Sequence, residues 1–286
     1  AAWSTSSWSE SMHTHIPSLE DRLPEVFDFV RALARQIDAG TLQDGDALLL
    51  RLREFYTADR MQAIESVATG WQAMAAYANR ATLHHITQVL ISLERLPEYR
   101  QASPPHQAMM QWIVLFHDLG KQVIDGQRDA LHAFRSGAMA ARALPGAGFA
   151  TSDTYPAEVE HWTARVLAAS VAAPDGKGLI PDNRALPEIL QGLDRLFGAG
   201  SPASLIVQAV MLHQSLNVVP EWPSPCSLTD AEVPLCIRPA LLPLLEIMML
   251  VDSDAWQLFD RASKAKFRQS TMAVFSDVRR RLGVAR

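Results

Sequence analysis

The sequence predicts an all-α protein, and three observations carry that expectation. From Leu23 onward, apolar residues recur at spacings of three and four, the repeat of a helix with one buried face. No stretch shows the sustained alternation of a half-buried strand. Proline- and glycine-rich stretches cut the periodic chain into about nine or more segments of helix length.

Composition sets the bounds. At 286 residues the chain is long enough to bury a substantial core, as one large or two small domains. A formal charge of −5 argues against a broad electrostatic platform for nucleic acid, though not against a local basic pocket. The longest apolar stretch, Ala240 to Val251, contains Pro243 and Glu246 and is too short to span a bilayer, so no membrane partner is expected. The Ser/Thr-rich start lacks the apolar segment of a secretory signal. Two cysteines, Cys226 and Cys236, suit neither a disulfide scaffold nor a zinc ribbon. They could form one bridge, but two thiols in a reducing cytoplasm are the expectation.

Taken in order, residues 1–20 carry little periodicity and read as a flexible tail, with His13 and His15 solvated in it. Residues 21–70 read as packing helices. Val26, Phe27, Val30, Leu33, Ala34 and Ile37 mark the first, with Pro24 near its first turn and Gly40 at its end. Leu48, Leu49, Leu52, Phe55 and Tyr56 mark the second, and Met61 to Thr69 the third. Residues 71–286 are expected to hold the functional core, in a single domain with 21–70. Trp71 to Leu96 reads as one long helix, apolar along Leu83, Ile86, Val89, Leu90 and Leu93. His85 borders that face, while His84 lies roughly a hundred degrees round the helix and reads as surface or supporting. Ser103 is a candidate N-cap for the next helix, which carries Met109, Trp112, Ile113 and Phe116. His132 opens a further helix whose Gly137, Ala138 and Ala141 leave one side small. Ala157 to Ala172 reads as helical, with His161 on a polar face between Glu158 and Arg165. Leu186 to Phe197 and Ser201 to Leu216 form two more, the second strongly apolar and delivering His213 near its end. Asn217 to Pro239 is long, proline-rich and aperiodic, and reads as a lid or substrate-facing rim with Trp222 and Arg238 in it. Ala240 to Phe259 is apolar on nearly all sides until Asp252, with Asp254 facing away. Ala262 to Leu282 closes the chain as a basic helix, its Lys and Arg on a solvated face.

The chemistry concentrates in WIVLFHDLGK, Trp112 to Lys121. An apolar run leads straight into His117 and Asp118. Burying an imidazole and a carboxylate there is costly unless something pairs with them. A divalent metal is a natural partner, since the two offer one nitrogen and one oxygen ligand. A hydrogen-bonded His–Asp pair is the competing explanation. Gly120 reads as a helix C′ residue that turns the chain so Lys121 points back. Asp252 is a charge on a buried helix that also calls for a partner, and His213 repeats the logic of His117.

With His85 in LHHITQVL, the doublet in HDLGK and Asp252 in IMMLVDSDA, the chain resembles the HD-domain metal-dependent phosphohydrolase superfamily over residues 70 to 260. In that superfamily an early helical His, a His–Asp doublet and a late Asp recur in this order, and the match favours His85 over His84. The resemblance implies an HD-domain-like helical bundle with extra N-terminal and C-terminal helices. It implies one metal held by His85, His117, Asp118 and Asp252. A second would share Asp118 and use His132 and His213, with His161 the runner-up to His132. Mg, Mn, Fe, Co and Ni all suit mixed His/carboxylate ligands. The implied activity is hydrolysis of a phosphate mono- or diester, a nucleotide among the candidates, by metal-activated water. Asp118 and Lys121 would be catalytic, and Lys121 and Arg238 would bind the phosphate of a small substrate. Some relatives, such as the inositol oxygenases, instead use a di-iron centre and O₂ to cleave a C–C or C–P bond. A non-catalytic HD scaffold is a third alternative, but it predicts a broken ligand set, whereas all four core ligands occur here.

Overall fold

The computed structural model describes residues 16–74, 80–122, 129–218 and 224–284. Among them are thirteen α-helices and one two-stranded hairpin, so the chain is essentially all-α. The periodicity becomes structure first in α1 (Pro24–Asp38), which buries Val26, Phe27, Val30, Leu33 and Ala34 on one face. The helices α2 (Gly45–Phe55) and α3 (Ala58–Val67) start on side-chain caps, Asp44 accepting from the Ala47 N–H and Thr57 from the Arg60 N–H. Then follow α4 (Ala81–Arg95), α5 (Pro97–Gln101), α6 (Pro104–Phe116), α7 (His132–Ala143), α8 (Tyr155–Ala168), α9 (Leu186–Phe197), α10 (Pro202–Leu212), α11 (Val233–Cys236), α12 (Leu242–Trp256) and α13 (Arg261–Arg281). Eight of the thirteen carry proline in their first turn, where a missing N–H costs nothing. Ser103 stands at the N-cap position of α6, but its hydroxyl bonds the His106 Nδ1 at 2.7 Å instead of a backbone N–H.

One hydrophobic core runs from Leu19 to Val278 and takes in both the N-terminal helices and the rest. At its centre α10 is buried at every position from Ala203 to Leu212, packed on α7, α6 and α9. The approach of α7 to α10 depends on Gly137, where a Cβ would fall 2.2 Å from Met211 Cγ. The helix α12 packs on α4, α6 and α13. Three of these buried helices end, and two begin, at one place: α6, α10 and α12 at their C-terminal ends, α4 and α7 at their N-terminal ends.

Several expectations need correction. Trp71 to Leu96 is not one helix: Trp71–Ala73 is a short 3₁₀ turn, Met74 is extended, and Arg80 at φ 59° caps α4. Fully buried Trp71 and the Arg80 Nη1 bond to Tyr56 O at 2.7 Å hold that break, and such tertiary anchors override helix propensity. Residues 75–79 lie outside the described residues. The helix expected to reach Ala172 stops at Ala168, and β1 (Ser170–Ala172) pairs antiparallel with β2 (Leu179–Pro181), Val171 opposite Ile180. Three-residue strands are too short to show an alternation. The tail expectation fails for its last residues: Leu19 is buried, and Pro17 O accepts the Trp112 indole N–H at 2.8 Å. Residues 1–15, with His13 and His15, and Trp222 lie outside the described residues. The described part of the proline-rich segment is partly core, since Cys226, Val233, Cys236 and Ile237 are buried. Both cysteines are thiols, not joined in a disulfide. Among the described residues no helix is long and apolar enough to cross a membrane.

Candidate metal centre

The centre is built from one local device used three times. At the end of α6, Met109 to Phe116 are all buried, and His117 follows in helical conformation. Its Nδ1 lies 2.7 Å from the carbonyl of Val114, three residues back. Such carbonyls have no intrahelical partner at a helix end. At the end of α10, His213 does the same with Val210 O at 2.7 Å. At the start of α7, His132 bonds the Asp129 carbonyl through Nδ1. A carbonyl only accepts, so each Nδ1 carries the proton and each Nε2 presents a lone pair. All three Nε2 atoms are buried without a hydrogen-bond partner among the described residues.

Those lone pairs converge on Asp118, itself buried. Its Oδ1 lies 3.0 Å from His132 Nε2 and 3.8 Å from His213 Nε2. Its Oδ2 lies 3.0 Å from Lys121 Nζ, 3.6 Å from His85 Nε2 and 3.9 Å from His117 Nε2. From α12, Asp252 Oδ1 approaches His85 Nε2 to 2.9 Å, across 167 residues of sequence. The donors fall into two adjoining groups, His85–His117–Asp252 and Asp118–His132–His213, each with ligand atoms within 4.8 Å of one another.

This donor set fits a metal. A bare imidazole nitrogen facing a carboxylate oxygen at 3–4 Å is repulsive unless a proton or a cation lies between them. Protonation is disfavoured, because burial pushes the His117 pKa down and takes that of His213 down to about 3, with His117 and His132 adding to the latter shift. Burial by itself would raise the two carboxyls, but the imidazoles and the ammonium that face them outweigh it. His117, His132 and Lys121 hold Asp118 well below its ordinary value, and His85 takes Asp252 to about 2. A deprotonated imidazole beside an ionised carboxylate is the arrangement in which a divalent cation binds.

The support around the ligands was only partly expected. Gly120 does not end α6 in a left-handed turn: its φ is not positive. It is there because a Cβ would fall 2.5 Å from Ser136 N and 2.8 Å from two Arg135 atoms. The Gly120 N–H donates to Ser136 Oγ at 2.8 Å, and Arg135 Nε donates to Gly120 O at 2.9 Å. These bonds lock the turn after the doublet onto α7. Asp129 is a supporting residue that the sequence patterns do not single out. Its carboxylate pairs with Arg135 and accepts the Gln122 N–H at 2.7 Å, while its carbonyl orients His132. An Asp three residues before a His at a helix start was the available signal. Trp256, at the end of α12, is another. Its ring stacks on His85 at 4.7 Å, yet the residue is 66 % exposed.

His85, Asp118, Lys121, His132, Asp252 and Trp256 line a cavity of about 210 Å³, with Asp129 and Gln214 completing the wall. Other candidates stand elsewhere. Arg238 pairs with Asp194 of α9, a carboxylate that also accepts from Ser204 Oγ at 2.9 Å, and it does not line the cavity. His161 is exposed on α8. His84 is buried beside Tyr56, outside both donor groups. Asp254 faces α13 and pairs with Lys264 at 3.2 Å. No protein-family model matches this chain, and no curated protein or solved structure does either.

Proposed function

We propose that this chain is a metal-dependent phosphohydrolase of the HD-domain type, acting on a small phosphate mono- or diester. The observation that carries the reading is the trio of buried histidines, each tied through Nδ1 to a carbonyl three residues back and each aiming a bare Nε2 at Asp118. A divalent metal held by His85, His117, Asp118 and Asp252, with a second on Asp118, His132 and His213, would acidify water and polarise a phosphoryl oxygen. The chain supplies the rest. Lys121, 37 % exposed at its side chain, is the one lysine on the cavity wall among the described residues, and it offers its ammonium to the substrate phosphate. Asp118 holds that ammonium at 3.0 Å and so positions it beside the donor groups. Trp256 stacks on the His85 ring at the cavity wall and shields that imidazole. The two buried thiols support placing the protein in a reducing cytoplasm.

The test is elemental analysis of aerobically and anaerobically purified protein beside phosphatase and phosphodiesterase assays. One or two exchangeable divalent ions per chain with phosphate-ester turnover is the expected result; absence of any metal would end the proposal and leave the scaffold alternative. Within that assay, Lys121→Ala is expected to keep its metal and lose turnover by about 10²-fold or more, as for removal of one preorganised charge-stabilising donor. Unchanged turnover would take Lys121 out of the reaction. His132→Ala and His213→Ala are each expected to lower the metal content toward one per chain. Unaltered stoichiometry in both would reduce these residues to structural support.

The donor set itself favours a second reading. Four imidazoles and two carboxylates in two adjoining groups also suit a pair of irons. Two irons per chain, O₂-dependent turnover and no hydrolysis would replace the hydrolase with the oxygenase.

A further inference from the structure

A second cleft, of about 220 Å³, lies between the end of α1, the end of α4, α5 and the first turns of α13. Its cations are Arg95, Arg100, Lys264 and Arg268. Facing them on the cleft wall are Asp38 and Asp254. Glu98 takes Arg268 from outside the wall. The other pairs are Arg95 with Asp38 at 2.7 Å and Lys264 with Asp254 at 3.2 Å. Arg100 spends its Nε on the Glu94 carbonyl, a neutral acceptor. On the wall itself four cations face two carboxylates, with Glu98 acting on Arg268 and Glu94, which also faces Arg31, acting on Arg100 from outside it, in a chain whose formal charge is −5.

Two donors on this wall have no partner among the described residues. Ser92 is 2 % exposed, and its hydroxyl makes no hydrogen bond; Arg95 Nη1 is likewise buried and unpaired. Buried donors left open cost free energy unless a ligand or water meets them. A concave wall with surplus positive charge and unmet donors selects an oxyanion with several acceptor oxygens.

We infer that this cleft is a binding site for a phosphate-type oxyanion, separate from the metal centre. It takes either free phosphate or the phosphoryl group of a larger metabolite; the chemistry recognised is the same. The site adjoins the metal cavity along α12. Asp252 and Trp256 face the cavity, while Asp254, between them in sequence, faces the cleft. An anion that draws Lys264 from Asp254 therefore acts on the turn that carries Asp252 and Trp256. This inference does not rest on the hydrolase reading.

The experiment is calorimetric titration of the purified full chain with inorganic phosphate and, separately, with pyrophosphate. Wild type is expected to show a saturable binding step. Arg100→Glu, at an exposed position, and Ser92→Ala, which removes a hydroxyl without a partner, should both fold. Arg100→Glu is expected to weaken the step by about tenfold or more and Ser92→Ala by about threefold, the range for charged and neutral hydrogen bonds. Asp118→Asn should leave it in place. Tighter binding of pyrophosphate would assign the cleft to a larger phosphorylated ligand, and tighter binding of phosphate to the free anion. No binding step in wild type, curves in both cleft variants that superimpose on wild type, or loss confined to Asp118→Asn would each overturn the site and leave the cleft to ordered water.

Discussion

Asp118→Asn is expected to abolish metal binding while leaving the helices in place. The substitution keeps the shape of the side chain but removes its charge and one of its two acceptor oxygens. Both oxygens are in use: four imidazole nitrogens and the Lys121 ammonium lie between 3.0 and 3.9 Å from them. An amide nitrogen in either position would point N–H at a metal or at Lys121. Loss of an outer-shell partner of a metal ligand costs roughly 10- to 100-fold in affinity, and loss of a carboxylate that faces the imidazoles of both donor groups should exceed that. The readout is thermal. A cation at a hundred times its Kd stabilises the native state by about 2.7 kcal/mol, which for a chain of this size raises Tm by about 5 °C or more. Wild type should show that rise on adding Mn²⁺ or Fe²⁺, and Asp118→Asn should not. A full rise in the variant would dismiss Asp118 as a ligand. Retained circular dichroism in the variant would separate lost binding from lost fold.

Gly120→Ala is expected to cost about 3 kcal/mol, at the upper end for overpacking, because the new methyl meets backbone and not a side chain that can swing away. Ser136 N would stand 2.5 Å from it and Arg135 C 2.8 Å. The turn can yield only by lifting α7 away from the end of α6, which breaks the Gly120 N–H bond to Ser136 Oγ and the Arg135 bond to Gly120 O. The same displacement separates His117 and Asp118 from His132, so metal affinity should fall together with stability. Chemical denaturation of the two proteins measures the first effect and metal titration the second. A stability change within about 0.5 kcal/mol, the scatter of neutral surface substitutions, would show that the turn has slack and that its glycine is incidental.

Much of this architecture can be read from the residues in order. The three-and-four spacing marks helices such as α1 and α4, because one buried face must recur with the helical repeat. Prolines in first turns mark many of the starts. The places where a buried apolar run meets His117, His213 or Asp252 stand out because a titratable group is anomalous in so apolar a context. The same logic fails where the deciding neighbour is distant or the element is short. The break before α4 depends on Trp71 and on the Arg80 bond to Tyr56. The hairpin at Ser170 is held by a partner strand of three residues. Gly120 has the local pattern of a turn residue, yet it is required by α7, whose approach its own neighbours in sequence do not reveal.

For the site, the sequence by itself determined the types of donor and the helix ends that present them, since both follow from local composition. It also pointed to Arg238, which lies on Asp194 instead. Only the tertiary structure decided that His85 meets Asp252 and that four imidazoles close around one carboxylate. It alone decided that Trp256 covers one of those rings and that four cations from α4, α5 and α13 share a cleft. The physical reason is that helical periodicity specifies which face of a helix is buried, but not which helix buries it. Partner and crossing angle come from side chains interlocking across the core, and contacts between distant segments are settled there together.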